Sequence, residues 1–184
     1  MASKALVILA PGFEDLEAIT TIDILRRGGI QVEVAALHED KVTGSRGTTV
    51  VADTNLTLLD DDRVFDAIVL PGGQPGANNL AADKRVVARL QEQSVSGRWI
   101  GALCAAPKVL ATAGLLKGRR VTHFPGALDS NESQGVEVVD EAVIVDGNLV
   151  TGRGPGVALD FALALVEQMA GRDTREAVES KLAR

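Results

Sequence analysis

Nearly continuous apolar runs mark the strands of this chain, and amphipathic stretches separate them. Lys4 to Ala10 is almost entirely apolar rather than alternating, which is typical of a strand buried on both faces of a parallel sheet. Glu14 to Arg27 follows as a predicted helix, with acids in its first turn and arginines in its last, as the helix dipole favours. A second strand is predicted at Gln31 to Leu37. This strand–helix–strand order predicts an α/β fold with a parallel sheet and right-handed crossovers.

The same alternation continues to the C-terminal end, with no linker or internal repeat that would separate a second domain, so we expect one domain over residues 1–184. The central part contains a hairpin or edge excursion within residues 38–62, a strand at Ala67–Leu70, helical residues from Ala77 to Ser96 with a break near Asp83, a strand from Trp99 to Cys104, and a helix from Pro107 to near Gly114. The last part contains a strand at Arg120–His123, strands within residues 136–151 around the turn Asp146–Asn148, and helices at Val157–Ala170 and Thr174–Leu182.

Composition narrows the class of protein. Hydrophobic residues make up 46 % and charged residues 24 % of the 184 residues, as in an ordinary globular protein. The net charge of −6 disfavours nucleic acid or an anionic membrane as the main partner, and the absence of tyrosine disfavours base stacking. The apolar run Ala5–Ala10 is too short for a signal peptide core or a membrane span, so a cytoplasmic location is the expectation.

A single cysteine stands at a sharp predicted strand-to-helix turn. Ala102 and Ala106 flank Cys104 two places before and after it, which is the pattern of a nucleophile elbow with alanine in place of glycine. Pro107 suits the first turn of the next helix, whose N-terminal amides would face the sulfur and lower the pKa of the thiol below its free value of ~8.5. The competing interpretation is a small buried core residue. A lone cysteine excludes an intrachain disulfide and a cysteine-based metal cluster.

Glycines follow the other predicted strands, and in a parallel sheet they would share one edge with the cysteine. Gly72 and Gly73 could present bare backbone N–H groups and, with the amide of Ala105, form an oxyanion hole, or they could be an ordinary turn. The segment Gly152–Gly156 could bind an anion at the start of the next helix through Arg153. A plain loop with a solvated arginine is the alternative.

For several titratable residues the sequence allows both a catalytic and a structural role. His123 ends a predicted strand and could form a dyad with Cys104, or it could simply bond to backbone. Glu14, Asp15 and Glu17 all follow the first strand, at the start of the first helix. Any of them could be a carboxyl partner for the cysteine, and any could lie on a solvated helix face.

Five short segments, spread in order over nearly the whole chain, occur together in one known family. They are Leu9–Glu17, Ser45–Gly47, Leu70–Gly73, Ala102–Pro107 and Arg153–Gly156. With them the chain resembles the ThiJ/PfpI superfamily, in the branch of the Parkinson-disease-linked protein deglycase and bacterial YajL. The resemblance implies a flavodoxin-like three-layer sandwich, with a mostly parallel central sheet and helices on both faces, that forms a homodimer. It adds Glu14 and Arg46 to the further candidate site residues.

The resemblance also implies chemistry, with Cys104 as the nucleophile and Glu17 as its protonated carboxyl partner. A buried carboxyl beside a thiolate has a pKa well above ~4.3, and the neutral acid can donate a hydrogen bond to the sulfur. Members of the family are described as glyoxalases or deglycases that act on small dicarbonyls or glycated substrates without a cofactor or metal. They are alternatively described as redox-regulated chaperones for unfolded proteins, with the same oxidisable cysteine.

The chain departs from the family pattern at several positions. Ala105 stands where the protease-like branch has histidine, which disfavours a cysteine protease. Phe124 stands where the human-type member has histidine, and His123 lies one residue earlier, so its side chain would face the opposite side of a strand. The extra cysteines of the family are replaced by Gly44 and Val51.

Overall fold

The computed structural model describes residues 2–60 and 62–184, and its framework is a seven-stranded sheet. The strands are β1 (Lys4–Leu9), β2 (Gln31–Ala36), β3 (Lys41–Thr43), β4 (Thr49–Val51), β5 (Thr54–Asn55), β6 (Ala67–Leu70), β7 (Trp99–Leu103), β8 (Arg120–Val121), β9 (Glu137–Val138), β10 (Val143–Asp146) and β11 (Leu149–Gly152). The helices are α1 (Asp15–Arg27), α2 (Gly76–Ala82), α3 (Lys84–Val95), α4 (Pro107–Thr112), α5 (Ala158–Ala170) and α6 (Arg172–Ser180).

The sheet has the strand order β10-β11-β7-β6-β1-β2-β5. Its pairs are parallel except at one edge, where β10 runs antiparallel to β11. In β1, Val7 and its alternate neighbours join one hydrophobic core, while Leu6 and Ile8 join the other. Both sets are fully buried, which confirms the interpretation of the first apolar run.

Helices cover both faces of the sheet. On one face, Leu25 of α1, Phe161 of α5 and Val178 of α6 belong to a common core. On the other face, Leu80 of α2, Leu90 of α3 and Leu110 of α4 belong to the second core. The expected three-layer α/β sandwich is therefore confirmed. None of the helices in the described residues is long and apolar enough to cross a membrane.

Two of the less regular predictions are also confirmed. Within residues 38–62, β3 and β4 form an antiparallel hairpin, and β5 then adds to the edge of the main sheet beside β2. The helical stretch after β6 breaks at Asp83, which ends α2 and whose carboxylate accepts a hydrogen bond from the N–H of Arg85 at the start of α3.

The predicted strand Arg120–His123 is wrong in length and in place. β8 covers only Arg120–Val121 and pairs with β9 in a separate two-stranded sheet. Thr122 ends the ladder, because its N–H is donated to the side chain of Thr151 and its hydroxyl to the carbonyl of Glu141. His123 therefore lies beyond a strand that is not part of the main sheet.

Candidate active site

Cys104 occupies a strained turn between β7 and α4. Its φ of 62° lies in the left-handed region, which costs a non-glycine residue about 1–2 kcal/mol. Two backbone hydrogen bonds hold the residue there. Its N–H is donated to the carbonyl of Gly152 at 2.8 Å, and its carbonyl accepts the N–H of Phe124 at 2.9 Å. The thiol is consequently clamped at the carboxyl edge of the sheet and is 7 % exposed.

The structure gives each acid of the Glu14–Glu17 segment a different position. Glu14 caps α1, since its carboxylate accepts the N–H of Glu17 at 2.8 Å. Asp15 accepts the N–H groups of Arg46 and Thr48, both at 2.8 Å, and so ties the β3–β4 turn to α1. The side chain of Arg46 is exposed. Of these three acids, Glu17 is the one whose pKa is coupled to the Cys104 thiol.

Glu17 is fully buried at the first turn of α1. Its Oε2 accepts the N–H of Gly72 at 2.7 Å. Its Oε1 is also buried and has no hydrogen-bond partner among the described residues, and the side chain lies close enough to the Cys104 thiol for each group to shift the pKa of the other. A buried carboxyl oxygen without a donor is the position that a proton would occupy.

The glycine pair after β6 lets backbone approach the elbow closely. A Cβ on Gly72 would lie 2.7 Å from both Ala105 N and Cys104 Cβ, so only glycine fits there. The backbone amides of Gly73 and Ala105 lie close enough to the sulfur to lower the pKa of the Cys104 thiol. The expectation for Gly72 as an oxyanion donor needs correction, because its N–H is already donated to Glu17.

Burial and mutual contact govern the protonation of the pair. Burial raises the pKa of Glu17 from 4.5 to about 7, with the nearby Glu14 charge adding to it, against hydrogen bonds from Gly72 and Cys104. Burial and the Glu17 carboxylate raise the pKa of the Cys104 thiol to about 12, although the amides of Gly73 and Ala105 lower it. The lowered thiol pKa expected from the helix terminus is therefore wrong while Glu17 is ionised, because burial and a neighbouring negative charge outweigh two amides.

Two groups in such contact lose their protons in two steps that belong to the pair. The first proton is lost near the raised pKa of Glu17, about 7, and the second is held far more tightly because each negative charge disfavours the other. Around and above neutral pH the pair thus holds one proton and one negative charge. Gly72 stabilises that charge on Glu17, and Gly73 and Ala105 stabilise it on Cys104.

The remaining candidates, His123 and Arg153, have partners other than Cys104. His123 places Nδ1 2.8 Å from the carbonyl of Phe124, so its ring is turned toward adjacent backbone. Arg153 forms an ion pair with Asp140, which gives its charge an internal partner. Sequence reasoning missed Asp140 and the clamping of Cys104 by Gly152 and Phe124, since contacts between distant loops leave no local signal.

Together the fold and the site define a class: an α/β protein with a nucleophile-type cysteine and a buried acid at the carboxyl edge of a parallel sheet. The chain belongs to the DJ-1/PfpI family, whose model matches residues 3–168.

Individual relatives cover nearly the whole chain. It is 42 % identical to protein dj-1beta of Drosophila melanogaster over 183 residues, covering 99 % of this chain and 97 % of the relative. The crystal structure of that protein superposes with a TM-score of 0.94, at 41 % identity and with 100 % and 98 % of the two chains covered. The glutathione-independent glyoxalase DJR-1.2 of Caenorhabditis elegans is 36 % identical, with 91 % and 89 % covered. Oxidized Toxoplasma gondii DJ-1 is 33 % identical, with 99 % and 98 % covered and a TM-score of 0.91.

Proposed function

We propose that the protein is a glutathione-independent glyoxalase that uses Cys104 as its nucleophile. The observation that carries the proposal is the contact between the clamped Cys104 thiol and the buried Glu17 carboxyl. The C. elegans relative named as such an enzyme supports the same activity class. The substrates in this proposal are small dicarbonyls such as methylglyoxal.

In the proposed reaction the shared proton rests on Glu17 and the charge on Cys104. The thiolate adds to the aldehyde carbon of methylglyoxal, and the carbonyl oxygen takes the proton from Glu17 to give a hemithioacetal, which leaves Glu17 ionised as the base for the next step. Gly73 and Ala105, whose amides lower the pKa of the thiol, are the proposed donors to the developing oxyanion.

Glu17 then moves a proton from the former aldehyde carbon to the neighbouring one through an enediol, which leaves a thioester of lactate on Cys104. Water cleaves the thioester to lactate and restores the thiol. The sequence is an internal rearrangement followed by hydrolysis, so it needs no external oxidant or reductant. In the deglycase form of the proposal, Cys104 displaces the amine or thiol from the tetrahedral carbon of the glycated adduct, and the proton of Glu17 goes to the leaving group, which gives the same enzyme-bound hemithioacetal.

Lactate formation tests the proposal directly. Purified protein is incubated with methylglyoxal in the absence of glutathione, and lactate is measured enzymatically. We expect turnover by the wild type and by the control Val95→Ala, whose side chain is 90 % exposed on α3. Cys104→Ala should abolish it. Lactate formation that survives Cys104→Ala would overturn the mechanism.

A redox-regulated chaperone is the second candidate, and the oxidized Toxoplasma relative favours it. An oxidised sulfur carries oxygens, which could accept hydrogen bonds from the Gly73 and Ala105 amides and from a protonated Glu17. Peroxide-dependent suppression of client aggregation, lost in Cys104→Ala, with negligible dicarbonyl turnover, would favour this function over the glyoxalase.

We also propose that the chain forms a homodimer through an apolar face between α1 and α5. Leu16 and Ile19 of α1 are 51 % and 44 % exposed. They line a groove of about 500 Å³ together with Leu159 and Leu182. Large apolar side chains clustered on a surface typically mark an interface, and a second copy of this chain would cover them.

A further inference from the structure

A cavity beside the elbow is not used by the chemistry described above. It has a volume of about 320 Å³, which is in the range of small-ligand sites. Its lining consists of Phe124, Pro125, Arg153, Gly154, Pro155, Gly156 and Val157.

The segments on both sides of this cavity are joined to the backbone of Cys104 by hydrogen bonds. Phe124 begins one wall, and its N–H is donated to the carbonyl of Cys104 at 2.9 Å. The other wall follows Gly152, whose carbonyl accepts the N–H of Cys104 at 2.8 Å. The cavity is therefore bordered by the two segments that hydrogen-bond to the backbone of Cys104, the residue that carries the sulfur.

The chemistry of the lining is apolar and aromatic. Phe124 is 50 % exposed, and its ring lies against the backbone of Gly154, where an added Cβ would come within 3.2 Å of the ring. Prolines, glycines and a valine supply most of the rest. The one charged member, Arg153, has its charge paired with Asp140. An uncharged, flat apolar group fits this surface better than a carboxylate or a phosphate.

We propose that this cavity is a subsite for the apolar substituent of the substrate, and that Phe124 is the residue that determines specificity there. The favoured substrates are then 2-oxoaldehydes with an aryl group, of which phenylglyoxal is the simplest. This inference rests on the proposed glyoxalase function. It adds the substrate class, because a methyl group would leave the cavity empty and an aryl ring would stack on Phe124.

Alkylation of Cys104 tests the subsite without requiring turnover. Phenacyl bromide and bromoacetone place a phenyl and a methyl group, respectively, at the same distance from the sulfur as the two oxoaldehydes do. Cys104 is the chain's single cysteine, so mass spectrometry follows one reaction. The ratio of the two rate constants, normalised to the ratio for glutathione, measures what the cavity contributes.

We expect a normalised ratio of about ten or more for the wild type. Phe124→Ala should bring it close to one, Phe124→Tyr should restore it, and the control Val95→Ala should leave it unchanged. Circular dichroism verifies that each variant is folded. A wild-type ratio near one, or a ratio that Phe124→Ala does not change, would overturn the subsite.

Turnover separates failure of the subsite from failure of the proposed function. If the enzyme converts both oxoaldehydes, kcat/KM for phenylglyoxal relative to methylglyoxal should fall about tenfold in Phe124→Ala, with Cys104→Ala as the background. Conversion of both substrates with an unchanged relative value rejects the subsite alone. No conversion of either, combined with a high alkylation ratio, rejects the glyoxalase and leaves an aryl-binding cavity beside a reactive cysteine.

Discussion

The reactivity of Cys104 depends on which partner of the buried pair holds a single proton. Gly72 donates its N–H to Glu17, while the amides of Gly73 and Ala105 lower the pKa of the thiol, so two amides stabilise charge on sulfur and one stabilises it on the carboxylate. Oε1 of Glu17 has no nitrogen or oxygen donor among the residues that the structure covers, which suits a protonated carboxyl. We therefore propose that the proton rests on Glu17 and the negative charge on Cys104, and this predicts how the alkylation rate depends on pH.

The rate of Cys104 alkylation by iodoacetamide should rise with a midpoint near pH 7 and then stay level. The pair loses its first proton there, and we propose that the sulfur carries the charge. In Glu17→Gln the thiol must ionise alone in a buried site, so the midpoint should move above the ordinary ~8.5 and the rate at pH 7 should fall about tenfold or more. A wild-type rate that stays low until near pH 12 would place the charge on Glu17 instead.

Burial of Glu17 also predicts how stability depends on pH. The pKa is about 7 in the folded protein and 4.5 in the unfolded reference, so the folded state binds more protons between these values. The free energy of unfolding should therefore fall as pH rises from 4.5 to 7, by about 3 kcal/mol from the proton that the Glu17–Cys104 pair loses. Urea denaturation of the wild type and of Glu17→Gln at pH 5 and pH 8 measures the effect.

Glutamine keeps an acceptor for the N–H of Gly72 but does not ionise. The variant should therefore gain stability relative to the wild type as pH rises from 5 to 8. An equal change in both proteins over this range would show that the Glu17–Cys104 pair does not lose a proton there.

The turn that carries Cys104 depends on close packing between two backbone segments, the turn itself and the loop after β6. β7 and α4 meet at a residue with φ of 62°, and the loop after β6 packs directly onto it. Hydrogen bonds to Gly152 and Phe124 offset the strain of that conformation. Displacing any of these strands by a fraction of an ångström would move the sulfur relative to Glu17.

Gly72→Ala should slow alkylation of Cys104 at pH 7 by at least about tenfold, because its Cβ would push on Ala105 and Cys104. It should also destabilise the protein by about 1–3 kcal/mol. Alanine keeps the N–H that Glu17 accepts, so the loss would come from displaced backbone.

Gly114→Ala is the matched control for this substitution. Its Cβ meets open space at φ of +75°, so it should cost stability of about 1–2 kcal/mol while the alkylation rate stays unchanged. Equal alkylation rates in the two variants would contradict the role given to the close approach at Gly72.

The apolar face between α1 and α5 is the proposed dimer interface. It lies on the face of the sheet covered by α1, α5 and α6, and Pro155 and Gly156 line both its groove and the cavity beside Cys104. A second copy bound there would lie close to the entrance of that cavity. Self-association and substrate access would then be physically adjacent.

Ile19→Glu should shift the protein from dimer to monomer, because it would place a charge among the apolar side chains that the second copy covers. Analytical ultracentrifugation at micromolar concentration measures the change. Val95→Glu introduces the same charge on an exposed site of α3 and should leave the dimer intact. A wild type that sediments as a monomer would reject the interface.

Much of the fold follows from local pattern. The apolar run at β1, the break at Asp83 and the hairpin within residues 38–62 each carry their own periodicity or turn residues, and each prediction is confirmed. The strand ending at His123 was wrong because Thr122 bonds to Thr151 and Glu141, residues far away in sequence. A hydrogen bond from the backbone to a residue that is distant in sequence cannot be predicted from the neighbouring residues alone.

From sequence alone, one could tell that a parallel sheet would carry Cys104 at a strand-to-helix turn, because hydrophobic periodicity and small flanking residues are properties of neighbouring positions. Sequence physics left Glu14, Asp15 and Glu17 equivalent, since they occupy one turn of one helix. Tertiary packing gave the three acids different roles. Glu14 caps the N-terminus of α1, Asp15 accepts a hydrogen bond from the β3–β4 turn, and Glu17 is buried beside the Cys104 thiol. The sign of the thiol pKa shift depended on the same packing, because desolvation and nearby charge arise only when distant segments meet.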